Sequence, residues 1–482
     1  MSACVASRDL PVRSVPADGW PRRAAAALLL LAPLAAPPAG AQRAPTPAAV
    51  RARVDSLARA YLDAHRTPGL AIEVVRARDT LVKAGYGLAD VEQRVPASAA
   101  SLFEIGSITK QFTSASVMRL VEAGRISLGD SIAAYVANLP AAWRGVTIRQ
   151  LLNHTSGVPS YTGIGERWTR RWGEDMPPES LVALTAHDSM WFQPGSDWRY
   201  DNSGYVLLGM LLDRVTGEPF PAYVERRLLR PLGLRHTWYC DVRRALPGRA
   251  PGYERDSTGW RRADFLNMTQ PYSAGALCST VGDLAHWNVL LATGRVVTPA
   301  SYLVMTAPEG AAAAHHYGFG LFVDTLAGRR MIQHGGGING FVSANAYLPD
   351  DSLSVTVLTN TGSASPERLM RNVARAALGI PLARLPARVS LSAAERARYA
   401  GRYEITQPDG KPLAATVRSG PRALSLLVQD DSVELIPFGH DTFGDAEESL
   451  RITFSADTSG VSGFTVMAGG QTMRARRVGD AP

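Results

Sequence analysis

The stretch Phe103-Glu104-Ile105-Gly106-Ser107-Ile108-Thr109-Lys110 carries a serine and a lysine three positions apart. Among the 51 lysine and arginine residues of the chain, only three are lysines, namely Lys83, Lys110 and Lys411. An amine can lose its proton when it is desolvated, whereas a guanidinium stays charged, so a lysine here indicates a task that arginine cannot perform. The stretch predicts a helix from Ser107 to about Glu122, on which the amine and the hydroxyl share a face. A neutral amine in that place is a general base beside a nucleophile.

Two further motifs carry side chains or backbone groups that suit the same chemistry. In Tyr200-Asp201-Asn202, a tyrosine near a cationic amine can relay a proton. In His334-Gly335-Gly336-Gly337, at the end of a predicted strand, glycines let an edge strand approach a substrate and offer N–H groups to an oxyanion. Each motif is weak evidence by itself, and their combination predicts an acyl-transfer site.

Taken in order, the motifs resemble those of the penicillin-recognising serine hydrolases, in the branch of the class C β-lactamases, D,D-carboxypeptidases and esterases. The resemblance covers about residues 50–378 and rests on six landmarks in the family's order: Pro68-Gly69-Leu70-Ala71, Gly85-Tyr86-Gly87-Leu88-Ala89-Asp90, Phe103–Lys110, Leu151-Leu152-Asn153-His154-Thr155-Ser156-Gly157, Tyr200-Asp201-Asn202 and His334-Gly335-Gly336.

The resemblance implies a role for each matching residue. Ser107 would be acylated, Lys110 would be its neutral base, and Tyr200 would protonate the leaving group and activate water. Asn202 would bind a substrate amide carbonyl, and the backbone N–H groups of Ser107 and Gly337 would form the oxyanion hole. His334 and Gly336 would line the substrate-binding strand. This mechanism needs no metal or organic cofactor.

Two positions depart from the family pattern. His334 stands where many members carry a lysine that binds a substrate carboxylate, and a histidine is only partly charged near neutral pH. This departure weakens the case for an efficient β-lactamase and leaves esterase or peptidase chemistry open. Asp201 stands where serine or alanine is more common, and we expect its side chain to face away from Tyr200.

The pattern of predicted elements indicates a mixed α/β fold with an antiparallel sheet and packed helices. Strands are predicted near both ends of the hydrolase-like region, at 69–86 and 318–360, and flank a mostly helical lobe at about 127–300 without visible period-2 alternation. The predicted domains are a hydrolase domain at 42–379, a linker at 380–390 and a small all-β domain at 391–482. Six short strands are predicted in that last domain, between Tyr403 and Met467.

The first 41 residues read as an export signal. Arg22-Arg23 precede the apolar run Ala24–Ala36, and Ala39-Gly40-Ala41 has the small-x-small form of a cleavage site. The sequence therefore predicts a periplasmic or secreted protein, and a disordered or anchoring N-terminus is the alternative. Beyond this region no segment is apolar enough to be a membrane span.

Composition and cysteine spacing exclude some classes of function. The net charge of +8 is not gathered into a basic cluster with interleaved aromatic residues, so nucleic-acid binding is not expected. No CxxC or HExxH spacing suggests a metal site. Cys4 would leave with the signal, and Cys240 and Cys278 are either a disulfide or two buried free thiols.

Together these features predict an exported serine hydrolase that cleaves an amide, peptide or ester through an acyl-serine. The leaving group stays open among a D-amino acid, an alcohol and the amine of a β-lactam ring.

An α/β-hydrolase lipase would need a Gly-x-Ser-x-Gly elbow, which the chain lacks. The alternative of another class is a non-catalytic penicillin-binding-like or peptidoglycan-fragment-binding protein. His154 is interpreted as a structural loop histidine rather than a catalytic base, and the sequence does not reveal the oligomeric state.

Overall fold

The structure is a computed structural model that describes residues 45–64, 66–363, 365–382, 389–406, 412–421, 423–428, 431–444, 450–457, 460–468 and 471–480. The predicted export signal and most of the predicted linker lie outside these ranges. The helices are α1 (Pro47–Asp63), α2 (Thr109–Glu122), α3 (Ile148–Leu152), α4 (Glu166–Thr169), α5 (Pro178–Ala183), α6 (Asn202–Thr216), α7 (Phe220–Tyr223), α8 (Tyr272–Gly275), α9 (Val281–Ala292), α10 (Pro299–Met305), α11 (Glu367–Leu378) and α12 (Ala393–Ala397). No helix among the described residues combines the length and the apolar content that a bilayer crossing requires.

Twelve strands precede residue 380: β1 (Gly69–Arg76), β2 (Asp79–Asp90), β3 (Val95–Pro96), β4 (Phe103–Glu104), β5 (Trp238–Tyr239), β6 (Tyr253–Asp256), β7 (Gly259–Arg262), β8 (Leu277–Ser279), β9 (Phe322–Leu326), β10 (Arg329–Ile338), β11 (Phe341–Leu348) and β12 (Leu353–Thr359). Seven of them form one antiparallel sheet in the order β3-β2-β1-β12-β11-β10-β9. Strands from both ends of this region therefore meet in the middle of the sheet, as the sequence predicts, and the predicted mixed α/β fold is confirmed.

Both faces of the sheet are covered. On one face, apolar side chains of α1 and α11, such as Val54 and Val373, pack against Ile72 and Val355. The other face joins a larger core that contains α2, α6 and α9. Because both faces are covered, β12 is buried along its whole length and β1 along its first six residues, although β12 carries polar side chains at Ser354, Thr356 and Thr359.

The middle region contains strands as well as helices. The short strands β4, β8 and β5 form a three-stranded sheet, and β6 pairs with β7. These strands are two to four residues long, which is too short for a period-2 pattern to appear in the sequence. The small sheet matters for function because Ile105, just before the predicted nucleophile, donates its N–H to the carbonyl of Leu277 on β8.

The C-terminal part is a closed antiparallel barrel of eight strands with its own apolar core. They are β13 (Gly401–Thr406), β14 (Pro412–Ser419), β15 (Leu424–Val428), β16 (Asp431–Pro437), β17 (Thr442–Gly444), β18 (Leu450–Asp457), β19 (Gly460–Ala468) and β20 (Gln471–Gly479). The predicted all-β fold of this part is confirmed, although the sequence pattern missed β17 and β20. Strand β20 was missed because five of its nine residues are polar or arginine, so few apolar side chains mark its inward face.

Candidate active site

The predicted nucleophile lies in a tight turn that leads directly into a helix. Gly106–Ile108 form one 3-10 turn, and α2 starts at Thr109, so Ser107 precedes the regular helix and Lys110 lies in its first turn. Gly106 has φ +50°, which favours glycine. A Cβ at this position would lie 2.8 Å from the carbonyl oxygen of Gly337, so the turn and strand β10 approach closely only because this residue has no side chain.

Lys110 is fully buried, and its amine contacts three oxygen atoms. Its Nζ lies 3.1 Å from Ser107 Oγ, 2.7 Å from Asn202 Oδ1 and 2.8 Å from the carbonyl oxygen of Ala274. Burial lowers the pKa of Lys110 to about 7, and the opposite charge of Asp201 limits the decrease. Near neutral pH the amine therefore exists in both protonation states.

The three partners determine where the lone pair of the neutral amine points. An ammonium group has three N–H donors and can serve all three oxygens, whereas the neutral amine has two N–H groups and one lone pair. The oxygens of Asn202 and Ala274 can only accept, so they take the two N–H groups. The remaining partner is the hydroxyl of Ser107, which can donate. The neutral amine thus faces the Ser107 proton with its lone pair.

Tyr200 and Asn202 lie beside this pair, at the start of α6. The Lys110 Nζ lies 4.8 Å from the centre of the Tyr200 ring. The Tyr200 hydroxyl is buried and has no hydrogen bond of normal length to a described residue. Burial raises the pKa of Tyr200 above its ordinary value, and Ser107 acts in the opposite direction. A neutral phenol beside the serine is suited to donate a proton to a leaving group.

The side chain of Asp201 is buried at the start of α6. It is 1% exposed, and its Oδ2 accepts the N–H of Gly204 at 2.9 Å and the hydroxyl of Ser156 at 3.4 Å. It therefore caps α6, which is a common role of aspartate at a helix start. Burial raises the pKa of Asp201 to about 7, while these hydrogen bonds and Lys110 lower it. These contacts hold the carboxylate against its own helix, and its expected direction away from Tyr200 stays a prediction.

Strand β10 supplies the opposite wall of the site. Its pairing with β9 ends at Gln333, whereas its pairing with β11 continues to Ile338. Residues 334–338 therefore have one edge without a paired strand, so their outward N–H and C=O groups can contact a substrate. A Cβ on Gly336 would lie 1.9 Å from the carbonyl oxygen of Ile105, so this close approach of β10 to the Ser107 turn requires glycine. The structure thus brings Gly336 and Gly337 next to Ser107.

His334 is neutral, which corrects the expectation of a partly charged side chain. It is 3% exposed, its Nδ1 lies 2.5 Å from the carbonyl oxygen of Gly335, and its Nε2 lies 3.1 Å from the hydroxyl of Tyr317. A carbonyl can only accept, so Nδ1 carries the proton and Nε2 accepts from Tyr317. Burial lowers the pKa of His334 to about 3, and the charge of Lys110 acts in the same direction. This residue offers no positive charge to a substrate carboxylate.

A disulfide lies close behind the site. Cys240 and Cys278 are joined, with their Cα atoms 5.3 Å apart. Cys278 lies on β8, which pairs with β4 directly before the nucleophile turn. Of the two alternatives that the sequence left open, the structure has the disulfide.

Sequence reasoning missed two groups that contact the site residues. The carbonyl of Ala274 binds Lys110, and the Thr162 hydroxyl accepts a hydrogen bond from Asn202 Nδ2 at 2.9 Å. A backbone carbonyl leaves no signal in a sequence, and a single threonine leaves none that stands out. Within the described residues, no group of three or more His, Cys, Asp and Glu side chains is arranged to hold a metal ion.

Comparison with known proteins shows relatives of the hydrolase region. The chain is 26% identical over 330 residues to Protein flp of Staphylococcus aureus (strain MW2) and 28% identical over 322 residues to a D-aminopeptidase of Gluconobacter oxydans. These matches cover 67% and 65% of this chain, but only 65% and 59% of the two relatives.

Solved structures show the same fold. A D-stereospecific amidohydrolase from a Streptomyces species is 30% identical, with a TM-score of 0.57 over 66% of this chain and 95% of its own. An octameric penicillin-binding protein homologue from Pyrococcus abyssi is 23% identical, with a TM-score of 0.66 over 88% of this chain and 99% of its own. The family model described as Beta-lactamase matches residues 54–380, and the chain belongs to this family.

Proposed function

We propose that this chain is a serine acyl hydrolase that forms an acyl-enzyme at Ser107. The observation that carries the proposal is the arrangement around Lys110, in which two oxygens that can only accept leave the lone pair of the neutral amine to the Ser107 hydroxyl. The lowered pKa of Lys110, about 7, makes that neutral form available near neutral pH. A base whose pKa lies near the working pH is the most effective one.

The proposed reaction uses groups whose positions are known. The Lys110 amine takes the Ser107 proton, and Oγ forms a bond to the acyl carbon of the substrate. The N–H groups of Ser107 and Gly337 stabilise the resulting oxyanion. The bond to the leaving group breaks as Tyr200 gives it a proton and becomes a phenolate. Water then attacks the acyl carbon while this phenolate takes its proton, and the Lys110 ammonium returns its proton to the departing Ser107 Oγ.

The substrate class follows from the wall formed by β10. His334 is neutral, so we expect acyl donors that bind without a carboxylate next to this strand, namely esters and amides, and weak turnover of β-lactams. Two relatives carry names that agree with an amide substrate, the D-aminopeptidase and the D-stereospecific amidohydrolase. Amides and peptides that begin with a D-residue are therefore the first class to test.

Export belongs to the proposal as well. A disulfide persists in an oxidising compartment, and the Cys240–Cys278 bond agrees with the N-terminal pattern of an export signal. The proposed mature protein starts near residue 42, with a hydrolase domain to residue 379 and a β domain from residue 391. It is expected in the periplasm or outside the cell.

The test is to measure intact mass after brief incubation with p-nitrophenyl butyrate, D-alanine p-nitroanilide or a penicillin, for the wild-type protein and for Ser107→Ala. We expect hydrolysis of the ester and the anilide, an acyl adduct in the wild-type protein, and neither activity nor adduct in the variant. An adduct or activity that persists in Ser107→Ala would rule out Ser107 as the nucleophile. Rapid loss of the penicillin would contradict the substrate class inferred from His334.

A further inference from the structure

One segment of the chain holds the residues around Tyr200 and Asn202 by a row of hydrogen bonds. We name residues 154–162 the cradle segment, because it lies along residues 199–203. The bonds, with donor first, are Arg199 N–H to His154 O at 3.1 Å, Asp201 N–H to His154 Nδ1 at 3.1 Å, the Ser156 hydroxyl to Asp201 Oδ2 at 3.4 Å, Asn202 N–H to Ser160 Oγ at 3.0 Å, Tyr161 N–H to Ser203 Oγ at 2.9 Å and Asn202 Nδ2–H to Thr162 Oγ1 at 2.9 Å.

His154 binds the chain on both sides of Tyr200. Its carbonyl accepts from Arg199 and its Nδ1 accepts from Asp201, while its ring lies 4.3 Å from the Tyr200 ring. The backbone of His154 has φ +63°, an unusual conformation for a residue with a side chain. Because the accepting nitrogen is occupied by a backbone N–H, His154 is unsuited to act as a catalytic base. Its contacts instead fix where Tyr200 lies.

Thr162 has the equivalent relation to Asn202. The Asn202 amide donates from Nδ2 to Thr162 and accepts at Oδ1 from Lys110, so both ends of the amide are bound. If the amide turned over, its NH₂ group would face Lys110 and compete with Ser107 for the lone pair of the amine. Ser160 Oγ lies 2.9 Å from Thr162 Oγ1 and supports the hydroxyl in this place. The second N–H of the amide stays available to a substrate carbonyl.

We propose that the cradle segment positions Tyr200 and Asn202 through two different residues. His154 is the positioning residue for Tyr200, and Thr162 is the positioning residue for the Asn202 amide. This inference rests on the proposed acyl-serine chemistry. It assigns a task to two residues that do not themselves touch the reacting atoms.

The first test compares Thr162→Val with Thr162→Ser in hydrolysis of p-nitrophenyl butyrate. Valine has the shape of threonine but no hydroxyl, so we expect kcat/KM to fall about tenfold, the usual effect of one lost hydrogen bond. Serine restores the hydroxyl and should keep kcat/KM within about twofold of the wild-type value. Equal losses in the two variants would overturn the hydrogen-bonding role of Thr162.

A matched control lies at the C-terminal end of α6, the helix that begins at Asn202. The Thr216 hydroxyl donates to the carbonyl of Leu212 at 2.7 Å, and this residue is partly buried as well. Thr216→Val removes one hydroxyl from α6 away from Asn202, so kcat/KM should stay within about twofold. A tenfold loss here too would mean that Thr162→Val acts by weakening the helix, and the inference would be wrong.

The pH dependence of kcat/KM gives a readout that a structural role would not change. In Thr162→Val the amide can turn, and an ammonium at Lys110 then loses an acceptor, so its pKa falls and the acidic limb moves to lower pH. The other titratable groups around Lys110 are not altered in this variant. Tyr200 and Tyr205 lie beside the amine, Asp201 acts through its charge, and His154 and His334 are kept neutral by burial. An unchanged limb would contradict the inference.

The second variant is His154→Asn. Asparagine tolerates positive φ and its Oδ1 can accept from Asp201 as Nδ1 does, but it lacks the ring that packs on Tyr200. We expect the fold to persist, judged by thermal unfolding, while kcat falls about tenfold and the acyl-enzyme accumulates in intact-mass spectra. Wild-type kcat in a folded variant would overturn the role of His154.

These outcomes are separable from failure of the proposed function. If Ser107→Ala keeps activity, the acyl-serine chemistry fails and the cradle has no reaction to support. If Ser107→Ala is inactive while Thr162→Val and His154→Asn match the wild-type protein, the chemistry stands and the cradle inference alone is wrong.

Discussion

Two basic side chains are buried on opposite walls of the site, Lys110 on α2 and His334 on β10, and they differ in charge near neutral pH. Lys110 is 0% exposed and has a pKa of about 7, whereas His334 is 3% exposed and has a pKa of about 3. Burial is the largest cause in both cases. Asp201 opposes it at Lys110 with a negative charge, while the charge of Lys110 adds to it at His334. The Lys110 amine therefore titrates near neutral pH, whereas the His334 imidazole stays neutral there.

The largest expected effect comes from removing the base on the helix side. Lys110→Arg keeps a positive charge but provides no neutral amine to accept the Ser107 proton. We expect kcat/KM for p-nitrophenyl butyrate to fall about 10³-fold, within the range for losing a general base. Steady-state kinetics measure the loss, and circular dichroism reports whether the fold persists. Near wild-type activity would show that Lys110 is not the base.

Lys83 provides a matched control for that substitution. It lies on β2 within 3.3 Å of Glu73, its side chain is half-exposed, and it is remote in sequence from the site residues. An arginine keeps a positive charge next to the buried carboxylate of Glu73, so the ion pair can be preserved. Lys83→Arg should keep both kcat/KM and the unfolding temperature close to the wild-type values. A large loss here would mean that lysine-to-arginine changes disturb this chain for reasons unrelated to proton transfer.

The next largest effect concerns the negative charge of Asp201, which raises the pKa of Lys110. Asp201→Asn keeps an oxygen that can cap α6 but removes the negative charge that raises the pKa of Lys110. The pKa of Lys110 should fall, so a larger fraction of the amine is neutral at pH 6. For a decrease of one unit, activity at pH 6 relative to the alkaline plateau rises by up to about fivefold.

The measurement is a pH profile of kcat/KM for the wild-type protein and Asp201→Asn. Asp201 and Lys110 both have pKa values of about 7, so the wild-type acidic limb belongs to the pair rather than to either residue. The variant should show a simpler limb at lower pH. A limb that moves to higher pH would contradict the stated sign of the interaction.

The contrast between the two walls also shows what the sequence could predict. Ser107, Lys110, Tyr200 and Asn202 were predicted from side-chain chemistry, spacing and the resemblance to a family, and the pattern of predicted elements indicated the α/β fold. The charge of His334 could not be found this way, because its lowered pKa results mainly from burial by residues that are distant in the sequence, with the charge of Lys110 acting in the same direction.

The residues that position the site residues could not be predicted from the sequence either, for a different reason. Thr162 is an ordinary threonine until the chain folds and places it against Asn202. The direction of the Asp201 side chain depends on its capping of α6, which a local pattern suggests only once the helix start is known. Identity can thus be predicted for residues that react, whereas orientation and protonation require the contacts between distant parts of the chain.

The smallest effect is expected on the strand side. His334→Gln replaces one neutral side chain by another that can still accept the Tyr317 hydroxyl, so kcat/KM for p-nitrophenyl butyrate should stay within about fivefold. The acidic limb of the pH profile should keep its position, because His334 is already neutral throughout that range. If His334 instead carried a charge that binds substrate, kcat/KM for carboxylate-bearing substrates such as penicillins would fall as pH rises through the pKa of His334. The variant would then lose this decrease together with most of its affinity for such substrates. The neutral form is expected to prevail because burial lowers the pKa of His334 to about 3 and the charge of Lys110 acts in the same direction.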